Sequence, residues 1–365
     1  MKNTFGNNVS VTIFGESHGN AIGVVIDGLA PGVDVDENYI NKLLELRRPA
    51  EAISTSRKEA DKFVIESGVF EGKTTGTPIC ILIPNEDTRS KDYSQTRWLA
   101  RPSHADYTSN CKYHGYEDFR GGGHFSGRIT AGLVAAGGII LPALNKKGIM
   151  IGTHIKKCAG ISDRDFSDNL IGDIESLYEK KFAVLDAAVE EQMKQAIISA
   201  KNNGNSVGGI LETAITGIDA GVGEPWFDTV EGVLSHAVFS VPGIKGIEFG
   251  AGFGLADMYG SESNDSFCYE GEKVVTKTNN SGGINGGITN GMPIVFRCAV
   301  RPTPTLSLEQ NTVDLQKKQN AVLNSKGRHD PCIVHRARIV VDCITAITVC
   351  DMMTGRYGTD WLAEI

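Results

Sequence analysis

The sequence has no paired-cysteine motif. Its eight cysteines stand at 80, 111, 158, 268, 298, 332, 343 and 350, and none makes a CxxC. That removes the usual zinc and thioredoxin-type readings, and no metal site is expected. Several of these cysteines sit in apolar runs, which suits reduced, buried thiols in the cytoplasm. Excess positive charge is also missing. The net charge is -8 over 365 residues, whereas broad nucleic-acid binding needs a basic surface. Any phosphate pocket must then be a local concentration of arginine in an acidic body. The first ten residues, MKNTFGNNVS, lack the apolar core of a secretion signal. No apolar run is expected to be long enough to span a membrane. There is no GxxxxGK[ST] phosphate loop. The run Gly250-Ala251-Gly252-Phe253-Gly254 resembles half of a dinucleotide fingerprint, but its third glycine is misplaced.

The chain is long enough for one large or two ordinary domains. Its 43 glycines are dispersed beside strand-like runs rather than gathered in a linker, so no boundary is visible and residues 1–365 read as a single large domain. Val9 to Phe14 and Ala21 to Ile26 read as strands joined through a histidine turn. Asp34 to Glu37 caps a helix through about Arg47, ended by Pro49. Lys62 to Phe70 and Thr77 to Ile83 read as further strands, and Arg128 to Leu144 as a buried helix. Leu185 to Lys201 has the spacing of an amphipathic helix. Gly209 to Ile218, Gly246 to Phe253 and Met292 to Val300 complete the strands, and Ile339 to Met353 forms an apolar helix. The order is mixed, without a regular βαβ period, so the class is α+β.

The chemistry concentrates in a few short motifs. Gly15-Glu16-Ser17-His18-Gly19 and Arg101-Pro102-Ser103-His104-Ala105-Asp106 each carry a histidine beside small residues. An imidazole is a natural group to protonate a departing phosphate near neutral pH. Arg120-Gly121-Gly122-Gly123 leads through His124, Phe125 and Ser126 to Arg128. Three successive glycines are entropically costly, so they mark either a tight turn or an anion nest at a helix start. Arg47-Arg48 ends a helix, where basic residues also serve as dipole partners, and Arg57-Lys58 reads as a solvated pair. Lys326-Gly327-Arg328-His329-Asp330-Pro331 puts a base, a guanidinium and a carboxylate on one loop. Asn285-Gly286-Gly287 and Arg301-Pro302-Thr303-Pro304-Thr305 are either plain turns or the walls of a flat cofactor site.

Taken in order, GESHG, SGVFEGKTTGTPI from Ser67, RPSHADYT, RGGG, GGINGGITNG from Gly282 and GRHDPC from Gly327 resemble the chorismate synthases. The resemblance runs from about residue 5 to residue 355. It implies a sandwich of antiparallel sheets and helices and a homotetramer. It also implies the elimination of phosphate from 5-enolpyruvylshikimate 3-phosphate to give chorismate, with reduced FMN and no net redox change. By the same resemblance His18 is the acid for the leaving phosphate, His104 poises the flavin, and Asp330 assists the proton abstraction. Ser17, Arg47, Arg48, Arg128 and Arg328 are implied to hold the substrate's anionic groups. His124, Phe125, Ser126, Gly286, Arg301, Pro302, Thr303, Pro304, Thr305 and Arg328 are implied to contact the flavin, and Arg47 matches a position assigned to NADPH. No reductase segment is visible, so reduced flavin is expected from an external flavin reductase, with NADPH acting only indirectly.

The sequence departs from the family at several points. The family commonly reads RGGGRSSARET where this chain has RGGGHFSGRIT, and RPGHAD has become RPSHAD. Ala50-Glu51-Ala52-Ile53 stands where the family has a glycine and a following arginine. Pro242-Gly243 stand where many members have Asn-Ala. The altered flavin edge leaves one alternative in play, a flavin-dependent oxidoreductase using the same anionic pocket. A non-catalytic anion-binding scaffold is a further alternative.

Overall fold

The structure is a computed structural model, and it describes residues 2–49, 51–55, 60–86, 97–324 and 330–363. Arg57, Lys58 and the Lys326–His329 part of the GRHDPC loop, with Arg328, lie outside the described residues.

Two five-stranded antiparallel sheets form the outer layers. The first runs in the order Thr4–Phe5, Ser10–Gly15, Ala21–Asp27, Ile79–Pro84, Val64–Ser67. The second runs Ile244–Phe249, Ile294–Val300, Gly209–Thr216, Met150–Cys158, Ile161–Ser162. Helices Glu37–Arg47, Thr130–Lys146 and Val334–Tyr357 pack between them. The α+β sandwich with antiparallel sheets is therefore borne out. One connected apolar core extends from Val24 and Ile81 of the first sheet, through Ala135 and Ile347 of the helices, to Ile155 and Phe296 of the second.

Each element follows from its residues. Asp36 caps the first helix, its carboxylate accepting from the amides of Asn38 and Tyr39. The central helix, Thr130–Lys146, is buried nearly all round because small residues let its neighbours approach. A Cβ on Gly132 would fall 3.0 Å from the carbonyl oxygen of Gly23, and one on Gly137 would fall 2.3 Å from Cβ of Cys343. Glycine thus sets the spacing from helix to sheet on one side and to the C-terminal helix on the other. By length and composition the stretch Gly127–Lys146 could cross a membrane, contrary to expectation, with a mean hydropathy of 1.5 over its best window. That window is 89% buried inside the fold, as the core helix of a globular protein would be. The half-fingerprint at Gly250 is not a nucleotide turn. Its strand ends at Phe249, and the amide of Phe253 is held by the Glu248 carboxylate at 3.1 Å at the start of a 3-10 turn, not of an α-helix.

A charge ladder crosses the second sheet. His154 lies between Asp163, 2.9 Å from Nδ1, and Glu212, 3.0 Å from Nε2, with all three buried. Arg297 continues the row to Glu248 at 2.8 Å. Asp163 also accepts the amides of Leu185 and Asp186, which lead into helix Ala187–Asn202. Burial opposes a charge on His154, but the two carboxylates outweigh it and raise its pKa above the usual 6.5. A raised histidine pKa contributes stability that is fully present below about 6.5 and is lost as pH rises through the folded value. The urea midpoint should therefore fall on the alkaline side. His154→Gln should flatten that limb and cost about 3 kcal/mol, because it leaves the buried Asp163 without its cation and Glu212 with only Arg297, at 3.6 Å. An alkaline limb unchanged in His154→Gln would show that the ladder does not govern it.

Candidate active site

The Glu16–Gly19 turn follows directly on strand Ser10–Gly15 and presents Ser17 and His18, both buried. Ser17 Oγ lies 3.1 Å from His18 Nδ1 and 3.4 Å from the Arg120 carbonyl oxygen, and the Ser17 amide donates to Gly123 O at 3.0 Å. The triple glycine is explained by this contact. A Cβ on Gly121 would fall 2.3 Å from His18 Cε1 and 2.5 Å from Nδ1, and the residue has φ +67°. The anion-nest alternative does not hold, since the amides of Gly122 and Gly123 are both donated to Arg120 O. The loop is a tight turn that lays bare backbone on an imidazole.

Arg120 forms a two-pronged pair with Asp118, at 2.8 and 2.7 Å. Burial works to raise the Asp118 carboxyl, but the Arg120 bonds, with a smaller share from His18, hold it below the usual range. A carboxylate therefore stands within electrostatic reach of His18. Arg101 ties this loop to the second histidine motif. Its Nε and Nη2 bind Asp106 at 2.8 and 2.7 Å, and its Nη1 reaches Gly121 O at 3.3 Å. Burial opposes the charge on Asp106, and the Arg101 bonds with the charge of His104 keep its pKa low. His104 Nε2 lies 2.6 Å from Thr305 Oγ1, and Arg301 donates to Ser103 O at 2.9 Å. The 301–305 segment and the RPSHAD loop thus form one wall.

Ser103 stands where the family commonly has glycine, and its φ is +60°. That conformation costs an L-residue about 1–2 kcal/mol, offset by roughly 0.5–1 kcal/mol of extra backbone entropy that glycine loses on folding. Ser103→Gly should therefore stabilise the fold by about 0.5 kcal/mol, visible as a small rise in Tm. A fall in Tm would show that the serine is favoured by something other than its backbone.

A second cluster lies beside the first. Asn85 donates to the carbonyls of Glu16 and Gly19, each at 2.9 Å, and accepts from Arg128 Nε at 3.0 Å. Arg128 and Arg47 both pair with the buried Asp61, Arg47 at 2.8 Å, and Arg48 Nε lies 3.7 Å from the same carboxylate. Arg47 Nη1 also reaches Gly127 O at 3.5 Å. Asp330 accepts the amide of Thr55 at 2.8 Å and Arg336 at 2.7 Å, and Arg336 Nε donates to Arg47 O at 3.0 Å. Ser17, His18, Arg47, Arg48, Arg128 and Asp330 are in this way linked through shared partners. Sequence reading missed Asn85, Asp61 and Arg336, each of which has meaning only through convergence in space.

The remaining expected positions fall in three places. His124 turns both ring nitrogens inward, to Gly15 O at 2.8 Å and Asn3 Oδ1 at 3.2 Å. Phe125 is half exposed against Tyr113, and Ser126 Oγ accepts the Arg128 amide at 3.2 Å. Thr303 Oγ1 is buried with no hydrogen-bond partner among the described residues. Gly286 stands apart, in a hairpin turn whose next residue packs on Thr229, with open space where its own Cβ would be. An orphaned hydroxyl on the segment that carries Arg301 and Thr305, the partner of His104, fits the donors that a flat, anionic cofactor needs.

A sequence model of the chorismate synthase family matches residues 9–354. The chorismate synthase of Thermococcus kodakarensis is 42% identical over 348 residues, 95% of this chain and 96% of that protein. That of Methanosarcina mazei is 44% identical over 352 residues, 96% of each. A crystal structure of chorismate synthase aligns with TM-score 0.78 at 27% identity, covering 97% of this chain and 94% of that one.

Proposed function

The chain belongs to the chorismate synthase family, whose members are carbon–oxygen lyases of the shikimate pathway, and on that premise we propose how its own residues divide the work. The reaction is the loss of phosphate and a ring hydrogen from 5-enolpyruvylshikimate 3-phosphate to give chorismate. Neither breaking bond is activated by an adjacent carbonyl, so acid and base alone would face a high barrier. A bound reduced FMN supplies the electron density that eases phosphate departure.

The observation that carries the reading is the convergence of Arg47, Arg48 and Arg128 beside the Asn85-held turn that bears His18. The guanidinium groups receive the substrate's anions, with Arg328 as a further contact on its loop. His18 delivers a proton to the departing phosphate, with Ser17 fixing the ring through Nδ1. His104, steadied by Thr305, poises the flavin edge, and Asp330, held by Thr55 and Arg336, assists removal of the ring proton. Arg301 to Thr305 and the 124–126 turn are assigned to the cofactor, with Gly286 contributing from its separate hairpin. Arg47 is buried and engaged by Asp61, so we assign it to substrate in preference to NADPH, which enters only as the reductant of an external flavin reductase. The oxidoreductase alternative is not favoured, because the matching family and relatives are chorismate synthases and the His124 ring is engaged by Gly15 O and Asn3.

We further propose a single-domain homotetramer. Trp226, Phe227, Phe253, Tyr259, Phe267 and Tyr269 are all largely exposed, and large apolar side chains exposed in such number are candidates for cover by another copy. Sedimentation at working concentration reads the assembly state, and a monomer would refute it. All eight cysteines are free, including Cys158 and Cys332 with sulfurs 3.8 Å apart, which supports a reducing, cytoplasmic setting. The catalytic reading is tested anaerobically with reduced FMN and 5-enolpyruvylshikimate 3-phosphate. Phosphate should be released without net flavin oxidation, and stoichiometric oxidation would overturn the reading.

A further inference from the structure

We propose that Asp61 is a positioning residue that holds the anion-binding arginines arrayed at the site. The inference rests on the assignment of Arg47, Arg48 and Arg128 to the substrate. Three side chains, the neighbours Arg47 and Arg48 and the distant Arg128, aim at this one carboxylate. Arg47 Nη2 donates to Oδ2 at 2.8 Å, Arg128 Nη1 donates to Oδ1, and Arg48 Nε stands 3.7 Å from Oδ2. The Asp61 side chain is fully buried, and those of Arg47 and Arg128 nearly so, at 5% and 3% exposure.

One carboxylate answers three guanidinium groups, so it orders them without neutralising them. The Nε atoms of Arg47 and Arg48 are buried and have no hydrogen-bond partner among the described residues. Buried donors without acceptors are costly in a folded protein. Here they lie beside an excess of cation, which marks the place where a dianion such as phosphate completes the site. Asp61 itself has φ +52°, a left-handed conformation that is sparsely populated away from glycine and that recurs where the surrounding structure fixes a functional geometry. Arg128 passes the arrangement on to the catalytic turn, since its Nε binds Asn85, which holds the Glu16 and Gly19 carbonyls on either side of His18. Asp61 thus acts on the reaction through the arginines.

The test uses Asp61→Asn, which keeps the shape and removes the charge, with inorganic phosphate as a competitive probe. Removing an anion from a cationic site should leave phosphate inhibition equal or tighter, while kcat falls by about 30-fold because the guanidinium groups lose their common anchor. A purely structural role gives another pattern, a lower Tm with unchanged kcat in the folded fraction, and that would overturn the proposal. So would a more than tenfold weakening of phosphate inhibition. If Asp61→Asn does not fold, Asp61→Glu keeps the charge but displaces it by one methylene. It should hold phosphate inhibition within about twofold and still lose at least about fivefold in kcat, whereas wild-type kcat there would refute the assignment. Wild-type enzyme that phosphate does not inhibit would sink the arginine reading itself, independently of either variant.

Discussion

Replacing His18 with alanine lowers turnover by roughly 10²- to 10⁴-fold, the range that a positioned general acid contributes. The substrate KM should stay within a few-fold, because the anion contacts belong to the arginines and not to the imidazole. A loss confined to kcat identifies an interaction made in the transition state. The fold should survive, because the turn is held by backbone bonds that do not involve the ring, such as Ser17 N to Gly123 O at 3.0 Å and Asn85 to Glu16 O and Gly19 O. Anaerobic phosphate release measured over a range of substrate concentrations, beside a circular-dichroism melt, gives both kinetic readings and the stability. If His18→Ala turned over at the wild-type rate, the acid would have to be another group, and the Ser17–His18 pair would be only a packed turn.

Much of the architecture was legible because local signals agreed with the global fold. Asp36 before an apolar-periodic run announced the first helix, and the alternation in Ser10–Gly15 and Ala21–Asp27 announced the first sheet. Strand Met150–Cys158, central to the second sheet, was not anticipated. It follows the buried helix after only Lys147, Gly148 and Ile149, and the polar stretch 145–148 marks the break between them. Helices Asp106–Tyr113, Leu170–Leu177 and Val230–Val238 are only eight, eight and nine residues long, so even a helical spacing such as Val230, Val233, Leu234, Ala237 and Val238 spans only about two turns. The C-terminal helix begins at Val334, five residues before its apolar run, because charges that argued for a loop are absorbed inside. Arg338 pairs with Asp342 at 2.9 Å and donates to Leu177 O and Lys180 O.

The site divides in the same way. Motifs pointed to the residues proposed to carry chemistry, since histidine beside glycine is visible in one dimension. They did not reveal how the residues are held. Asp61, Asn85 and Arg336 lie apart in the sequence; Asp61 and Asn85 matter because at least three partners meet on each, and Arg336 because it joins Asp330 to the Arg47 carbonyl. The triple glycine was visible as an oddity, but its cause was not, because the imidazole it accommodates is about a hundred residues away.

That cause leads to the second large effect. Gly121→Ala should lower kcat by roughly 10²-fold even though residue 121 has no chemistry of its own. The added methyl would stand 2.3 Å from His18 Cε1, 2.5 Å from Nδ1 and 3.1 Å from Ser17 Oγ. Something must move, and the backbone cannot move easily. Gly121 O accepts from Arg101, Gly122 N and Gly123 N donate to Arg120 O, and Gly123 O holds Ser17 N. The ring is therefore displaced, and a shift of about 1 Å in a reacting group is worth on the order of 10²-fold. Alanine at φ +67° adds about 1–2 kcal/mol of backbone strain, so Tm should fall as well. Gly127→Ala provides the matched control on the same segment. Its Cβ would meet nothing within 4 Å and its φ is not positive, and the substitution restores the residue common in the family. It should be neutral within about 0.5 kcal/mol and within twofold in kcat. Because the two variants add the same methyl group six residues apart, a difference in turnover between them isolates the contact with His18. Equal turnover in both would mean that the loop yields to the methyl group, and that glycine at 121 serves only the turn.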